Sequence, residues 1–474
     1  MAKRHVYNSY EQDMLDRFEL AAQRLAGEME HPARREATKD SIILSCRWGD
    51  PWNPLWSDEE YAKKTKWGGL IAMPLYTDRV DIFSYWPTIS PEGGFIDHNL
   101  YGGIWTDLKP VRPGDTFRVI QRKPELIDIS SEEGDDQPRT FGFVERDAEV
   151  YNQRGELVSR HKHLLDIIIR PEPKHAIADA LPFEDHKYTD QELAYIDKII
   201  ATEEIRGMIP RYWEDVRVGD RLADITIGPS TAMDMMAFYA SHEEIPVAPM
   251  RLFREKAKRD GGGMLTDPET NVSHYAAEWH IIDKFARVLG NPRAFHFGDS
   301  ARTQMVRCAT NWMGDDAEVV VVDYRHITRT PVGDCQVGHG VVVDKYAQNG
   351  DGFVVLDIWL DNLCRGNVTE AAKITVKLPS KAPITEDSAP SAPKARAFVA
   401  GETVRIAPHS EWWPGGNPLT GAVGKVIQLY AWDEAYAKFP EYVAVKIDPA
   451  STDTKLGLGD ELMFRAQFVE RGAD

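Results

Sequence analysis

Apolar and polar positions along this chain follow one plan that recurs twice. Residues 55 to 74, LWSDEEYAKKTKWGGLIAMP, read as an amphipathic helix with apolar Tyr61 and Ala62, stopped by Gly68-Gly69 before a second apolar run. Residues 279 to 298, WHIIDKFARVLGNPRAFHFG, repeat the arrangement. With Trp56 set against His280, both segments place an alanine six positions on (Ala62, Ala286) and a basic residue seven on (Lys63, Arg287). Downstream, LKPVRPGDTFRV (108 to 119) and ITRTPVGDCQV (327 to 337) each put proline and then Gly-Asp between β-rich runs. That pattern predicts a strand, a tight turn and a new strand. VYNQRGELVSRHKHLLDIIIRP (150 to 171) and WLDNLCRGNVTEAAKITVKLP (359 to 379) both predict a strand, a turn around Asn and Gly, and a closing strand that ends at proline.

Each copy is therefore expected to hold a short opening strand, a loop and helix segment, a longer central helix and a run of antiparallel strands, an α+β class. YWEDVRVGDRLADITIGP (212 to 229) opens the second copy. The stretch PSKAPITEDSAPSAPKARA (379 to 397) is too rich in Pro, Ser and charge to bury a core and reads as a linker. Beyond it, FVAGETVRIAP, GAVGKVIQLYAW, EYVAVKID and DELMFRAQFVE predict the short strands of a small SH3-like β-barrel. The expected layout is a first unit over 1–171, a connector over 172–211, a second unit over 212–379, a linker over 380–397 and a barrel over 398–474.

Composition narrows the function classes. The 474 residues exceed what one core organises, and 42% hydrophobic with 28% charged residues is an ordinary globular balance. A formal charge of -19 argues against nucleic-acid or membrane-surface partners, which call for basic surface. It leaves room for a small anionic ligand met by a few cations such as Lys63, Lys64 and Lys66, although that cluster equally suits a solvated helix face. Cys46, Cys308, Cys335 and Cys364 lack zinc-site spacing, so reduced thiols are expected. The N-terminal MAKRHVYNSYEQDMLDRFELAAQRL has no apolar signal region, and no run approaches the ~20 apolar residues of a membrane span, so a cytoplasmic location is expected.

The segment GDPWNPLWSDEEYAKKTKWGGLIAMP resembles the hydratase segment of MaoC-like hot-dog proteins, in which G-D-x-N-P-x-H precedes a D-x-x-Y-A helix. TNWMGDDAEVVVV (310 to 322) and DNLCRG resemble a two-domain subgroup of that family, and the likeness spans residues 30 to 379. It implies two hot dogs side by side, each a central helix wrapped by a curved antiparallel sheet, with the active site in the cleft between them. It also implies an acyl-CoA thioester as substrate, with coenzyme A present only as part of it and no metal. An Asp and a His orient water for addition across C2=C3 of an enoyl thioester. The thioester oxygen meets backbone N–H groups at the start of the central helix.

Carried over residue by residue, the pattern is incomplete in both copies. In the first, Trp56 stands in the histidine position and one extra residue separates Asp50 from Asn53-Pro54. Trp cannot relay a proton. This copy would then shape an acyl tunnel from Asp50, Trp52, Asn53, Trp56 and Trp67, or its indoles are core packing. In the second, His280 holds the catalytic position while Tyr275 replaces the carboxylate five residues earlier. Glu278, His274 and Asp283 are the candidates to take over that role, since a carboxylate beside a partly buried imidazole raises its pKa and fixes its tautomer. Glu278 lies two residues from His280, a spacing that points side chains apart in regular structure. The alternative is a His280 held in the interface by hydrogen bonds without catalysis.

The central helix is expected to begin at Gly298, with Asp299 or Ser300 as cap and the amides of Gly298 and Asp299 as the oxyanion site. His296 would contact the substrate or cap the preceding strand. Arg302 and Arg307 face different directions, so one at most reaches a ligand. The Gly-rich RDGGGMLTD (259 to 267) lacks a phosphate-loop ending, and no nucleophile-elbow motif occurs. His409, Trp412 and Trp413 form an aromatic cluster that covers the cleft or packs on the body. The leading expectation is a hydro-lyase, an enoyl-CoA hydratase or 3-hydroxyacyl-thioester dehydratase acting through His280. A thioesterase using Glu278 or Asp299, and a non-catalytic acyl-CoA-binding or assembly protein, are the alternatives. A further homodimer is plausible but not required.

Overall fold

A computed structural model describes residues 6–29, 36–81, 97–128, 139–169, 183–241, 251, 264–267, 269–288, 291–391, 395–408, 413–427, 439–456 and 459–472. The first unit runs α1 (Ser9–Leu25), β1 (Gly27–Met29), α2 (Lys39–Gly49), α3 (Pro54–Ser57), α4 (Glu59–Ala62), α5 (Asp78–Asp81) and then β2 (Asp97–Asp107), β3 (Phe117–Gln121), β4 (Glu125–Asp128), β5 (Arg139–Asn152) and β6 (Leu157–Ile169). Helix α6 (Asp190–Thr202) lies in the connector. The second unit runs β7 (Ile225–Ile227), α7 (Ala232–Ser241), the strand pair β8 (Met264–Thr266) and β9 (Ser273–Tyr275), a 3-10 turn Ala276–His280, α8 (Asp283–Val288), α9 (Gly298–Met313) and β10 to β13 (Glu318–His326, Gln336–Gln348, Asp351–Asn362, Asn367–Leu378).

Helix α9 is the longer central helix expected of the second copy, and it starts at Gly298 as the glycine suggested. Nearly every residue along it is buried, because β10 to β13 wrap it and their inward positions, Val322, Tyr324, Leu356, Ile358, Ala372 and Ile374, close on Met305, Val306, Ala309 and Trp312. A helix polar by composition can be buried on every side only if its polar atoms find partners there. In the first copy the described part of the corresponding helix is α5, and residues 82–96 lie outside the described residues.

One antiparallel ladder joins the two units. Strand β2 pairs with β10, Gly103 opposite Tyr324 and Trp105 opposite Val322, so the two sheets are continuous. Gly102 is required there: at φ +153° a Cβ would lie 2.2 Å from the Tyr324 carbonyl oxygen. Inside this seam the Arg302 guanidinium pairs with Asp78 of the first unit and with Asp299 of its own helix at 3.2 Å, and lies 4.3 Å over the Trp105 ring. Burial works against the charge, but the two carboxylates outweigh it and hold the guanidinium firmly protonated.

The C-terminal segment contributes β14 (Thr403–Ile406), β15 (Val423–Val426), β16 (Tyr442–Ile447), β17 (Glu461–Arg465) and β18 (Val469–Arg471), all antiparallel neighbours in the order β17-β16-β15-β14-β18. Four of these fall on the expected strands. The unit docks on the outer face of the second sheet, where Trp413, Phe439, Tyr442, Ala444 and Met463 share a core with Trp359, Leu363, Val368 and Ala371. Trp413 thus packs on the body, whereas His409 and Trp412 lie outside the described residues. Arg465 reaches from β17 to Asp357 at 2.7 Å and stacks over Trp359 at 3.8 Å. The linker is laid along the second unit rather than free, with Ser388 bonded to Ala347 and Ser391 to Asp344.

Beneath the docked unit, His339 lies between Asp224 at 2.9 Å and Asp361 at 3.5 Å. Burial pushes the Asp361 carboxyl up to about 6, against the smaller opposing pull of His339, the Trp359 indole and Arg465. Because the folded-state value is raised, the native protein holds this proton more tightly than the unfolded chain, and its stability falls as pH climbs from about 4 to about 6. Asp361→Asn is expected to raise the melting temperature at pH 8 and to leave it unchanged at pH 4. At the seam, Arg302→Met strands two buried carboxylates and is expected to cost about 3–5 kcal/mol in denaturant unfolding. A loss below about 1 kcal/mol would mean that the seam holds without it.

Candidate active site

The start of α9 lies at the end of an extended strap, Ala294–Phe297, that bonds to the loop before β11: the His296 amide donates to the Thr330 carbonyl and the Val332 amide to that of Ala294. Phe297 caps the helix without a side-chain hydrogen bond, and its carbonyl accepts from the Ser300 and Ala301 amides. The first-turn amides of Gly298 and Asp299 have no acceptor within the helix and carry the positive end of its dipole.

His280 is brought to this point. Its ring packs 3.8 Å from that of Phe297 and 4.6 Å from that of Phe295, and its Nδ1 is 2.7 Å from the Phe295 carbonyl oxygen. A carbonyl only accepts, so Nδ1 carries the proton and Nε2 is the basic nitrogen. The surrounding wall is aromatic. Phe238 of α7 stacks on Phe297 at 5.1 Å, Tyr239 meets it edge-on at 4.3 Å, and Trp48 of α2 meets Phe238 edge-on at 6.2 Å. Sequence reading passed over this wall, although the alternation Phe295-His296-Phe297 was a legible sign of a strand with one aromatic face.

The three groups offered as the missing carboxylate have other tasks. Glu278 bonds to His274 at 3.0 Å, and the pair is part-exposed. Asp283 accepts from the Ala294 amide at 2.9 Å and pairs with Arg293 at 3.3 Å, fixing the near end of the strap. Tyr275 forms the last position of β9, and its side chain lies outside the described residues. The Asp299 side chain turns inward to Arg302, so only its amide faces the helix start. Arg302 itself is buried at the seam rather than aimed at a ligand, and Arg307 pairs with Glu203 at 3.3 Å. His296 is buried, its ring nitrogens facing Ser230 and Gln336.

In the first copy the same sequence plan gives a different arrangement. Asp50 accepts from the Trp56 indole at 2.9 Å and from Thr310 at 3.0 Å, so the carboxylate is tied to a group that cannot move a proton. Asn53 caps α3 through the Leu55 amide at 3.1 Å. At the turn into α5, Leu75 adopts φ +69° and its amide donates to the part-buried Asp107 carboxylate at 3.0 Å. Trp56 is 2% exposed within a core of Leu55, Ala62, Leu70 and Met73, and Trp67 donates to the Asp315 carbonyl at 2.8 Å. Trp52, 85% exposed, stands at the surface apart from them. Of the lysine cluster, Lys63 pairs with Glu59 and Glu60, and Lys66 with Glu318.

The Nδ1–H tautomer of His280 is open to direct measurement. Nitrogen-15 NMR of histidine-labelled protein, assigned with His280→Gln, is expected to show Nδ1 protonated and Nε2 as the acceptor-type nitrogen. The reverse assignment would contradict the geometry.

No family model matches the chain, and no curated protein does. Among solved structures, one named a MaoC-like dehydratase superposes with a TM-score of 0.50 at 13% identity, covering 76% of this chain and all of its own. A MaoC-like dehydratase of Phytophthora capsici gives 0.40 at 11% identity over 78% of this chain and 99% of that one. A Mycobacterium tuberculosis protein described as a double hot-dog fold gives 0.43 at 12% identity over 74% and 96%. Over 76% of its length, the chain shares the fold of a MaoC-like dehydratase.

Proposed function

We propose that the protein is an enoyl-CoA hydratase or 3-hydroxyacyl-thioester dehydratase with one working site, in the second unit. The observation that carries this reading is His280, its basic Nε2 set by the Phe295 carbonyl and its ring packed on the residue that leads α9. A thioester carbonyl accepting from the Gly298 and Asp299 amides would be polarised by the helix end. Nε2 of His280 takes a proton from water as the water oxygen adds to C3. The C2=C3 electrons move into the enolate, and the imidazolium returns the proton to C2, leaving the 3-hydroxyacyl thioester. Dehydration is the reverse.

The aromatic wall of Trp48, Phe238, Tyr239 and Phe297 favours an apolar acyl group. A thioesterase is less well supported, because Glu278 is engaged by His274 and Asp299 by Arg302, leaving neither to activate water. The five-stranded C-terminal unit reads as an SH3-like barrel whose docking stiffens the outer face of the second sheet. A cytoplasmic location and a homodimer belong to the same proposal.

Turnover of short, branched and aromatic enoyl-CoA thioesters, followed by mass spectrometry, tests the reading. Water addition is expected in the wild type, falling by about 10²- to 10⁴-fold in His280→Ala. Release of free acid would make the protein a thioesterase, and binding without turnover a degenerate hot dog that binds or assembles.

A further inference from the structure

Behind the strap, on the side away from His280, four buried side chains form a directed hydrogen-bond chain. Gln336 on β11 donates through Nε2 to Glu370 Oε2 on β13 at 2.6 Å, and the same nitrogen faces the hydroxyls of Thr369 at 2.7 Å and Thr330 at 2.9 Å. A carboxylate only accepts, so Glu370 fixes which way the Gln336 amide lies and turns Oε1 toward His296 Nδ1, 3.2 Å away. Nδ1 of His296 must then be the donor, which leaves Nε2 to accept the Ser230 hydroxyl. Ser230, His296, Gln336 and Glu370 are each under a tenth exposed. The carboxylates facing His296 are Glu370, Asp334 and Asp234, and burial outweighs them, keeping the imidazole below its ordinary pKa and neutral.

An extended strap presents alternate side chains to opposite faces. His296 is held from behind, while Phe295 and Phe297 face His280, Phe295 giving its carbonyl to Nδ1 and Phe297 leading into α9. We propose that His296 is a positioning residue, locked by Ser230 on one side and Gln336-Glu370 on the other, which holds the strap so that the His280 tautomer and the α9 amides stay in register. The kinetic part of this inference rests on the hydratase reading; the structural part does not.

The His280 tautomer, read by nitrogen-15 NMR of histidine-labelled full-length protein, is the primary measurement. In His296→Leu the Nδ1–H form is expected to give way to a mixture, and kcat on the best enoyl-CoA to fall about 10- to 100-fold with KM within about threefold. His296→Gln, which can accept from Ser230 and donate to Gln336, is expected to restore both. A folded His296→Leu with a lower melting temperature but an unchanged His280 tautomer would reduce the network to scaffolding and overturn the proposal. If His296→Leu does not fold, Ser230→Ala decides on the same readout, with an unchanged tautomer again overturning it. Absence of turnover in the wild type would sink the hydratase reading alone, because the tautomer still reports on the strap.

Discussion

Arg302 is a cation almost without contact to water, and its guanidinium reaches carboxylates from both halves of the protein. Asp78 comes from the turn into the first unit's helix, and Asp299 from the first turn of α9. Taking such a group from water costs several kcal/mol, which only close pairing and ring contacts offset. The arrangement therefore specifies one register of the two units more than it stabilises them. Sliding the β2–β10 ladder by one residue would separate Arg302 from Asp78 and leave charges buried alone.

With that register set, the strap Ala294–Phe297 lies against the loop before β11, and the candidate site is built on it. Its outward face gives His280 a carbonyl and a ring to rest on, and its end leads into α9. Its inward face is occupied by His296. For the half-buried His280 imidazole, the backbone carbonyl of Phe295 selects the tautomer.

The first copy shows the opposite outcome from the same plan. There the carboxylate survives as Asp50, but its partner is an indole, and the turn amide of Leu75 is already taken by Asp107. Its residues hold the second unit's helix. Tyr61 and Trp67 bond to Asp315 beyond the far end of α9, and Gly49 lets α2 approach so closely that a Cβ would meet Thr303 at 2.3 Å. The first copy thus clamps the central helix of the second.

The sequence by itself determined the elements and their repeat, since helix, strand and turn signals depend on residues a few positions apart. Gly298 as the helix start, the strands after each Gly-Asp turn and the catalytic candidacy of His280 were all legible in that local pattern. Which side chain meets which was decided only by the tertiary structure. Arg302 and Asp78 are 224 positions apart, Tyr61 and Asp315 254, and Gln336 and Glu370 34. Glu278, in the same short 3-10 turn as His280, bonds instead to His274 of β9. Local spacing cannot encode such pairings, because hydrogen bonds and ion pairs are set by the directions side chains take once sheets and helices have packed.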